Sequence, residues 1–374
     1  MDLKKNLPVA EVLKIRMSEA SLVLLLTALA LSAPAQPAPR LFVDIPDGEA
    51  HVARIDAVPG DPVEVLRSRP AAFSPQAWRT ALGNAGTPRT ILRNAEANAT
   101  LTLNLFDDTS LDLRVESISP TADGIGQIAR GRIGGSGEGT AIFTVYDGAL
   151  SGSVRLAGTE FYEIFVPRSG AGEIRQVAFH GFRTPGTDAV PPEGELRAEG
   201  SGLESPGRLW KIPVDETALP IRAAGDGDPI VDVLVVYSER ARQARGDAAG
   251  MLAHINQVIA EANAALEKSA VRMQYRLAHA AEVSWNDSVS TMSYSSALSA
   301  LRNDSDGYLD QVHALRDQYA ADMVSLWVNP PLPGSGSFTT GMAYILANNP
   351  QRFGGYAFSV VNQAYAGGAS ATFA

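Results

Sequence analysis

The sequence predicts an α+β chain of more than one domain, in which a β-rich domain precedes an α/β domain with a mostly parallel sheet. Three observations carry this. Between 41 and 180 the chain alternates apolar and polar residues, the two-residue period of half-buried strands. Between 182 and 229 it is crowded with Pro, Gly and acidic residues, which bury too little apolar surface to pack alone. From Ile230 onward, continuous apolar runs alternate with helical stripes, as in a sheet covered on both faces.

The elements follow in order. The first segment reads as an export signal: Lys4, Lys5, Lys14 and Arg16 precede the apolar run "ASLVLLLTALALSA", and Ala33-Pro34-Ala35 supplies small residues for cleavage. That run is shorter than the roughly 18 to 20 residues that span a bilayer, so a secreted or periplasmic protein is expected, with no membrane contact beyond the cleaved leader. The expected divisions are 1–35 for the signal, 36–181 for the β-rich domain, 182–229 for the linker and 230–374 for the α/β domain. "ATLTLNLF" and "LDLRVESIS" alternate cleanly, and "AIFTVYDGALSGSVRL" is two strands joined at Asp147-Gly148, a dipeptide suited to a tight hairpin. "GGSGEG" lacks the Lys-Ser/Thr of a phosphate loop and reads as a turn.

In the second half "IVDVLVVYS" and "ADMVSLWV" read as buried strands and "VRMQYRLAH" as an alternating one. Leu252, Ile255, Ile259, Ala262 and Leu266 form one helical stripe; Tyr308, Val312, Leu315 and Tyr319 form another, entered through Ser305-Asp306-Gly307.

Composition excludes several functions. With 31 basic against 41 acidic residues the formal charge is -10, so no nucleic-acid partner is expected. There are 0 cysteines, which removes thiol catalysis and cysteine zinc sites. The histidines are His51, His180, His254, His279 and His313, and no two stand four apart as a helical zinc pair would. His254 and His313 fall off the apolar stripes of their helices and are expected in solvent, whereas His279 is expected at a core or rim position. "RNDSDG" lacks the first ligand and closing Glu of a calcium loop, and no G-x-S-x-G elbow occurs. The residues by themselves carry no catalytic constellation.

"DVLVVYSERAR", "ANAALEKSAVRMQYRLAHAAEVSW", "LRNDSDGYLDQVHALRDQYAADMVSLWV", "GMAYI" and "YAFSVVNQAYA" occur in an order and spacing that resembles secreted bacterial reprolysin-like zinc proteases of the metzincin group, above all the peptidyl-Asp metalloendopeptidase type. The upstream stretches "ARGRIGG", "YDGALSGSVRLAG" and "FYEIFVP" resemble the propeptide region of such enzymes. The resemblance implies a precursor of a secreted zinc-dependent endopeptidase that hydrolyses peptide or protein substrates with metal-activated water. In the family, H-E-x-x-H-x-x-G-x-x-H follows a "TFA"-like tripeptide, matched here by 372–374, so the chain is expected to stop short of its zinc helix. The 374-residue chain is therefore expected to bind no zinc and to be inactive; zinc belongs to the complete protein. The resemblance also implies a substrate-binding edge strand, placed on Ala357, Phe358, Ser359, Val360, Val361 and Asn362, with one more core strand as the other reading. The alternative function is a non-catalytic secreted peptide- or protein-binding protein, a pseudoprotease or protease inhibitor.

Overall fold

The computed structural model describes residues 39–45, 63–82, 99–134, 139–157, 160–179, 189–190, 228–288, 292–331, 339–344 and 354–368. The expected signal, the centre of the "GGSGEG" turn and most of the expected linker lie outside these residues. Among the described residues no helix is long and apolar enough to cross a membrane.

The first half is a nine-stranded antiparallel sheet. In chain order its strands are β1 (Phe42–Asp44), β2 (Val63–Phe73), β3 (Thr100–Phe106), β4 (Thr109–Pro120), β5 (Gln127–Ile133), β6 (Gly139–Tyr146), β7 (Ala149–Arg155), β8 (Glu160–Val166) and β9 (Gly172–Phe179). They are ordered β1-β2-β9-β8-β7-β6-β5-β4-β3. The two ends meet. Leu41 N donates to Thr102 O at 3.0 Å, Thr102 N to Pro39 O at 3.2 Å, and the Asn104 amide bonds both Phe42 N and Phe42 O. This closes the sheet into a barrel and removes the free edges that invite aggregation.

Alternation decides what fills the barrel. Leu101, Leu103 and Leu105 of β3 point inward with Leu113, Phe143, Leu150 and Ile174. Helix α1 (Pro75–Leu82) adds Trp78, whose Nε1 donates to Gln127 Oε1 at 2.9 Å. The β6–β7 hairpin turns at Asp147 (φ 43°) and Gly148 (φ 84°), the positive pair that a two-residue turn requires. At Gly152 of β7, a Cβ would stand 2.1 Å from Cδ1 of the buried Phe143 ring. Gly152→Ala should therefore cost about 1–3 kcal/mol, read as a lower denaturant midpoint. An unchanged midpoint would mean that the ring has room to move.

The second half is a six-stranded sheet ordered β10-β14-β15-β13-β11-β12. Its strands are β10 (Ala189–Val190), β11 (Ile230–Ser238), β12 (Gln274–Val283), β13 (Met323–Val328), β14 (Gly341–Tyr344) and β15 (Phe358–Asn362). β11 runs parallel to β12 and β13, β13 to β15 and β10 to β14, while β14 is antiparallel to β15. Over both sheets antiparallel pairing predominates, so the parallel arrangement expected from the sequence applies to this sheet alone.

Alternate residues of β11 feed two cores. Val233, Val235 and Tyr237 pack with Met251, Ile255, Val258 and Ile259 of α3 (Ala248–Lys268). Leu234 and Val236 pack with Leu298 and Leu301 of α4 (Tyr294–Arg302) and Val312 of α5 (Gln311–Gln318). A short helix α2 (Glu239–Ala244) follows β11, capped by Ser238 Oγ on Ala241 N at 3.0 Å. Helix α3 starts at Asp247, whose Oδ1 accepts Gly250 N at 2.8 Å; such a cap is worth about 1 kcal/mol. Helix α5 begins later than the sequence predicts. Asp306 Oδ1 takes Tyr308 N at 2.9 Å and Gly307 sits at φ 84°, so the chain turns before it coils. Tyr308, assigned to the stripe, is 64% exposed.

Helix α3 lies between the two sheets. One face meets the six-stranded sheet through the residues above. The other carries Ala249 and Ala253 against Tyr146 and Ala149, then Gln257 and Glu261 against Ser151 and Ser153 of β7.

Candidate functional site

The parallel strands β11, β13 and β15 end side by side at Ser238, Val328 and Asn362, and polar side chains gather there. Open α/β sheets bind ligands at such carboxyl ends. Asp287, 2% exposed, ties two of the ends together: its Oδ2 accepts Ser238 Oγ at 2.6 Å and Asn329 N at 2.7 Å. Arg240 Nε donates to Asn329 O at 2.7 Å, and Gln363 Nε2 to Asn329 Oδ1 at 3.0 Å. Asn362 caps the 3-10 turn after β15, its Oδ1 accepting Ala364 N at 3.0 Å.

Gln363 links these ends to a second cluster. Its carbonyl oxygen meets Arg245 Nη2 at 3.1 Å and His254 Nε2 at 2.9 Å, while Arg245 Nε donates to its Oε1. His254 is buried and Arg245 half-buried. Burial brings the Arg245 guanidinium down to about 10, against the pull of Glu163. Burial, with the neighbouring Arg245 charge second, holds the His254 imidazole well below its usual value. His254 is thus a neutral core residue at ordinary pH, with its ring edge-on to Trp327 at 5.6 Å.

A cavity of about 340 Å³ opens beside this cluster, with Arg245, His254 and Gln257 on one side and Glu163, Phe165 and Glu173 of the barrel on the other. Glu173 is paired with Arg175. The last described turn forms part of the wall. Gly368 N donates to Glu261 Oε2 at 2.8 Å, and a Cβ on Gly368 would lie 2.3 Å from Glu163 Oε1.

Three sequence expectations are corrected here. Ala357, Phe358, Ser359, Val360, Val361 and Asn362 do not form an edge: β15 is bonded to β13 on one side and β14 on the other. Phe358, Val360 and Asn362 are 3%, 0% and 1% exposed, the core-strand alternative. Nor is His254 in solvent. It lies off the stripe facing the six-stranded sheet, but α3 has a second packed face and His254 stands beside it. His313, also expected in solvent, is half-buried against Phe358 at 5.5 Å with its Nε2 enclosed, because α5 packs on the six-stranded sheet beside β15; His279, expected at a core or rim position, stacks on Tyr319 at 3.9 Å. The sequence reading missed Arg245, Gln257, Glu261 and Gln363. The only signal was the four-residue repeat of Ala249, Ala253, Gln257 and Glu261, a second helical face whose small residues let another surface approach.

The three histidines of this half therefore serve three separate environments. Among the described residues no three His, Cys, Asp or Glu side chains stand together as metal ligands. The described residues do not compose the zinc site implied by the resemblance.

Residues 228–364 match the family described as Metallo-peptidase family M12B Reprolysin-like. A peptidyl-Asp metalloendopeptidase of Pseudomonas aeruginosa is 34% identical over 143 residues, which is 37% of this chain and 22% of that protein. One from Stenotrophomonas maltophilia is 32% identical over 124 residues, 33% of this chain and 28% of that protein. The chain thus covers less than a third of these relatives' length. Among solved structures, metalloproteinase-II from Bacteroides fragilis superposes with a TM-score of 0.38 at 11% identity, covering 71% of this chain and 75% of that one. A chaperone-substrate complex gives 0.28 at 23% identity, with 36% and 21% covered. Both superpositions are too loose to establish a shared fold. Over residues 228–364 the chain is similar to the reprolysin-like M12B metallopeptidases, and over about a third of its length to the peptidyl-Asp metalloendopeptidases.

Proposed function

We propose that the chain is precursor sequence of a secreted zinc endopeptidase: a leader over 1–35, a propeptide-like barrel within 36–181, a connecting segment over 182–229, and from 230 the sheet half of a metzincin-like catalytic domain. The observation that carries this is the family match, which runs from the entry of β11 to the turn after β15. The reading assigns the sheet a peptide-aligning role. An extended peptide pairs with a strand whose outer edge is accessible, and β15 has none. β14 is the better candidate. It is the antiparallel strand outside β15, and among the described residues only the two-residue β10 lies beyond it, with Ala189 opposite Ala343 and Val190 opposite Tyr344. In this reading a substrate strand takes the place of β10.

Zinc would be supplied by residues outside the described set, since His254, His279 and His313 are committed elsewhere. The 374-residue chain should bind no stoichiometric zinc and cleave no peptide, whereas a chain carrying the family's H-E-x-x-H-x-x-G-x-x-H motif should do both. Elemental analysis paired with a peptide-cleavage assay on the two forms tests this. Chelator-sensitive cleavage by the 374 residues would show that the active site is misplaced. A motif-bearing chain that binds peptide without cutting it would favour the non-catalytic binding protein.

A further inference from the structure

Helix α3 is recognised twice. Its Met251, Ile255, Val258 and Ile259 face belongs to the six-stranded sheet, as any covering helix of such a sheet would. The opposite face is of another kind. Ala249, Ala253, Gln257 and Glu261 repeat every four residues, and the barrel answers with Ala149, Ser151 and Ser153 every two. The steps match in length: four helical residues advance about 6.0 Å and two strand residues about 6.8 Å. Ser151 Oγ donates to Gln257 Oε1, Ser153 Oγ to Glu261 Oε1, and Gln257 Nε2 to the same Glu261 oxygen at 2.8 Å. Ser151 and Gln257 are 1% and 4% exposed, so these polar groups depend on each other across the contact.

The contact continues to both ends of the helix. At its start Ser169 N donates to Asp247 Oδ2 at 3.2 Å, and the Phe165 ring lies under Arg245 at 5.4 Å. At its end Arg130 Nη2 donates to Ala260 O at 2.9 Å, with Glu267 at 3.7 Å from Nη1. From Asp247 to Glu267 this is about 30 Å of helix. Alanines let the surfaces approach, the buried serine–amide–carboxylate chain sets the register, and the outer ion pair adds charge complementarity.

We infer that the barrel is a binding module for the α3 stripe of its own α/β half, through a surface separate from the β14 edge, and that it stays bound after the chain between them is cut. The surface holds whether or not the α/β half cleaves peptides. To test it, a specific protease site is placed within 191–227 of the full chain, the protein is cut, and the pieces are followed by size-exclusion chromatography and titration calorimetry. The expected result is one 1:1 complex that persists on dilution to about 1 µM, a concentration that stable specific interfaces survive. Ala253→Arg should weaken it at least about 100-fold, a hot-spot effect. Because that variant could disturb folding, the outer pair supplies a second measure: Arg130→Glu should weaken binding, and Glu267→Arg should recover part of the loss in the double variant, the bond to Ala260 O staying lost. Separate elution of the unmodified pieces would overturn the inference. So would an Arg130→Glu loss that Glu267→Arg leaves uncorrected, or a complex of two chains that exchange barrels.

Discussion

Replacing Trp327 by alanine should lower the unfolding free energy by about 3–5 kcal/mol, the range for deleting a large buried aromatic. Trp327 is 0% exposed on β13, in the core that α3 shares with β11 and Val361 of β15. Its ring meets His254 edge-on at 5.6 Å, and its Nε1 donates to Ser325 Oγ at 3.1 Å. Strands on either side fix the backbone, so the surroundings can close the cavity only in part. Against a total stability of about 5–15 kcal/mol this is a large share, and the denaturant midpoint should fall visibly. Trp327→Phe keeps most of the ring and deletes one hydrogen bond, an expected loss nearer 1 kcal/mol. Ser325 would still be bonded by Ser359 Oγ at 2.9 Å. An alanine variant within 1 kcal/mol of the unmodified protein would mean that the core is far looser than the geometry implies.

The protein should also lose stability as pH falls below about 6.5, and His254 should account for a separable part of the loss. Burial first, then the Arg245 charge, holds this imidazole well below 6.5 in the folded chain. The unfolded chain takes up a proton that the native state refuses. The full contribution is therefore present above pH 6.5 and declines on acidification, by about 1.4 kcal/mol per pH unit, until the folded value is reached. His279, also lowered by burial, titrates in the same window, so the readout is a difference. Denaturant midpoints at pH 7.5 and 5.5 should fall less for His254→Gln than for the unmodified protein, by about 1 kcal/mol. Equal slopes would mean that His254 takes up its proton in the folded chain over the same pH range as in the unfolded one.

How far the sequence could be read depended on whether the information was local. The hairpin at Asp147-Gly148 was legible because two adjacent residues must take positive φ. Strands β3, β6 and β7 were legible from alternation, and β11 and β13 from unbroken apolar runs between helices. The stripe of α3 was read correctly as far as it went. Its second face escaped because Ala, Gln and Glu at four-residue spacing also suit an ordinary solvated helix, and only the barrel's position makes them a contact. The same holds for His254, whose burial depends on Gln363, 109 positions away. The start of α5 was misplaced because Ser305-Asp306-Gly307 can cap a helix or make a turn, and φ at Gly307 chose the turn.

By itself the sequence determined the β-rich first half, the alternation of strand and helix from Ile230, the absence of thiol chemistry and the likeness to reprolysin-like proteases. The tertiary structure alone decided that the first sheet closes at Thr102, that β15 is interior with β14 outside it, and that the α3 stripe is held by β7. The reason is physical. A two-residue period states which face of a strand is buried, and a 3.6-residue period does the same for a helix. Neither states which strand is the neighbour, because pairing is settled by contacts between residues far apart in the chain, and those form only once the whole sheet is assembled.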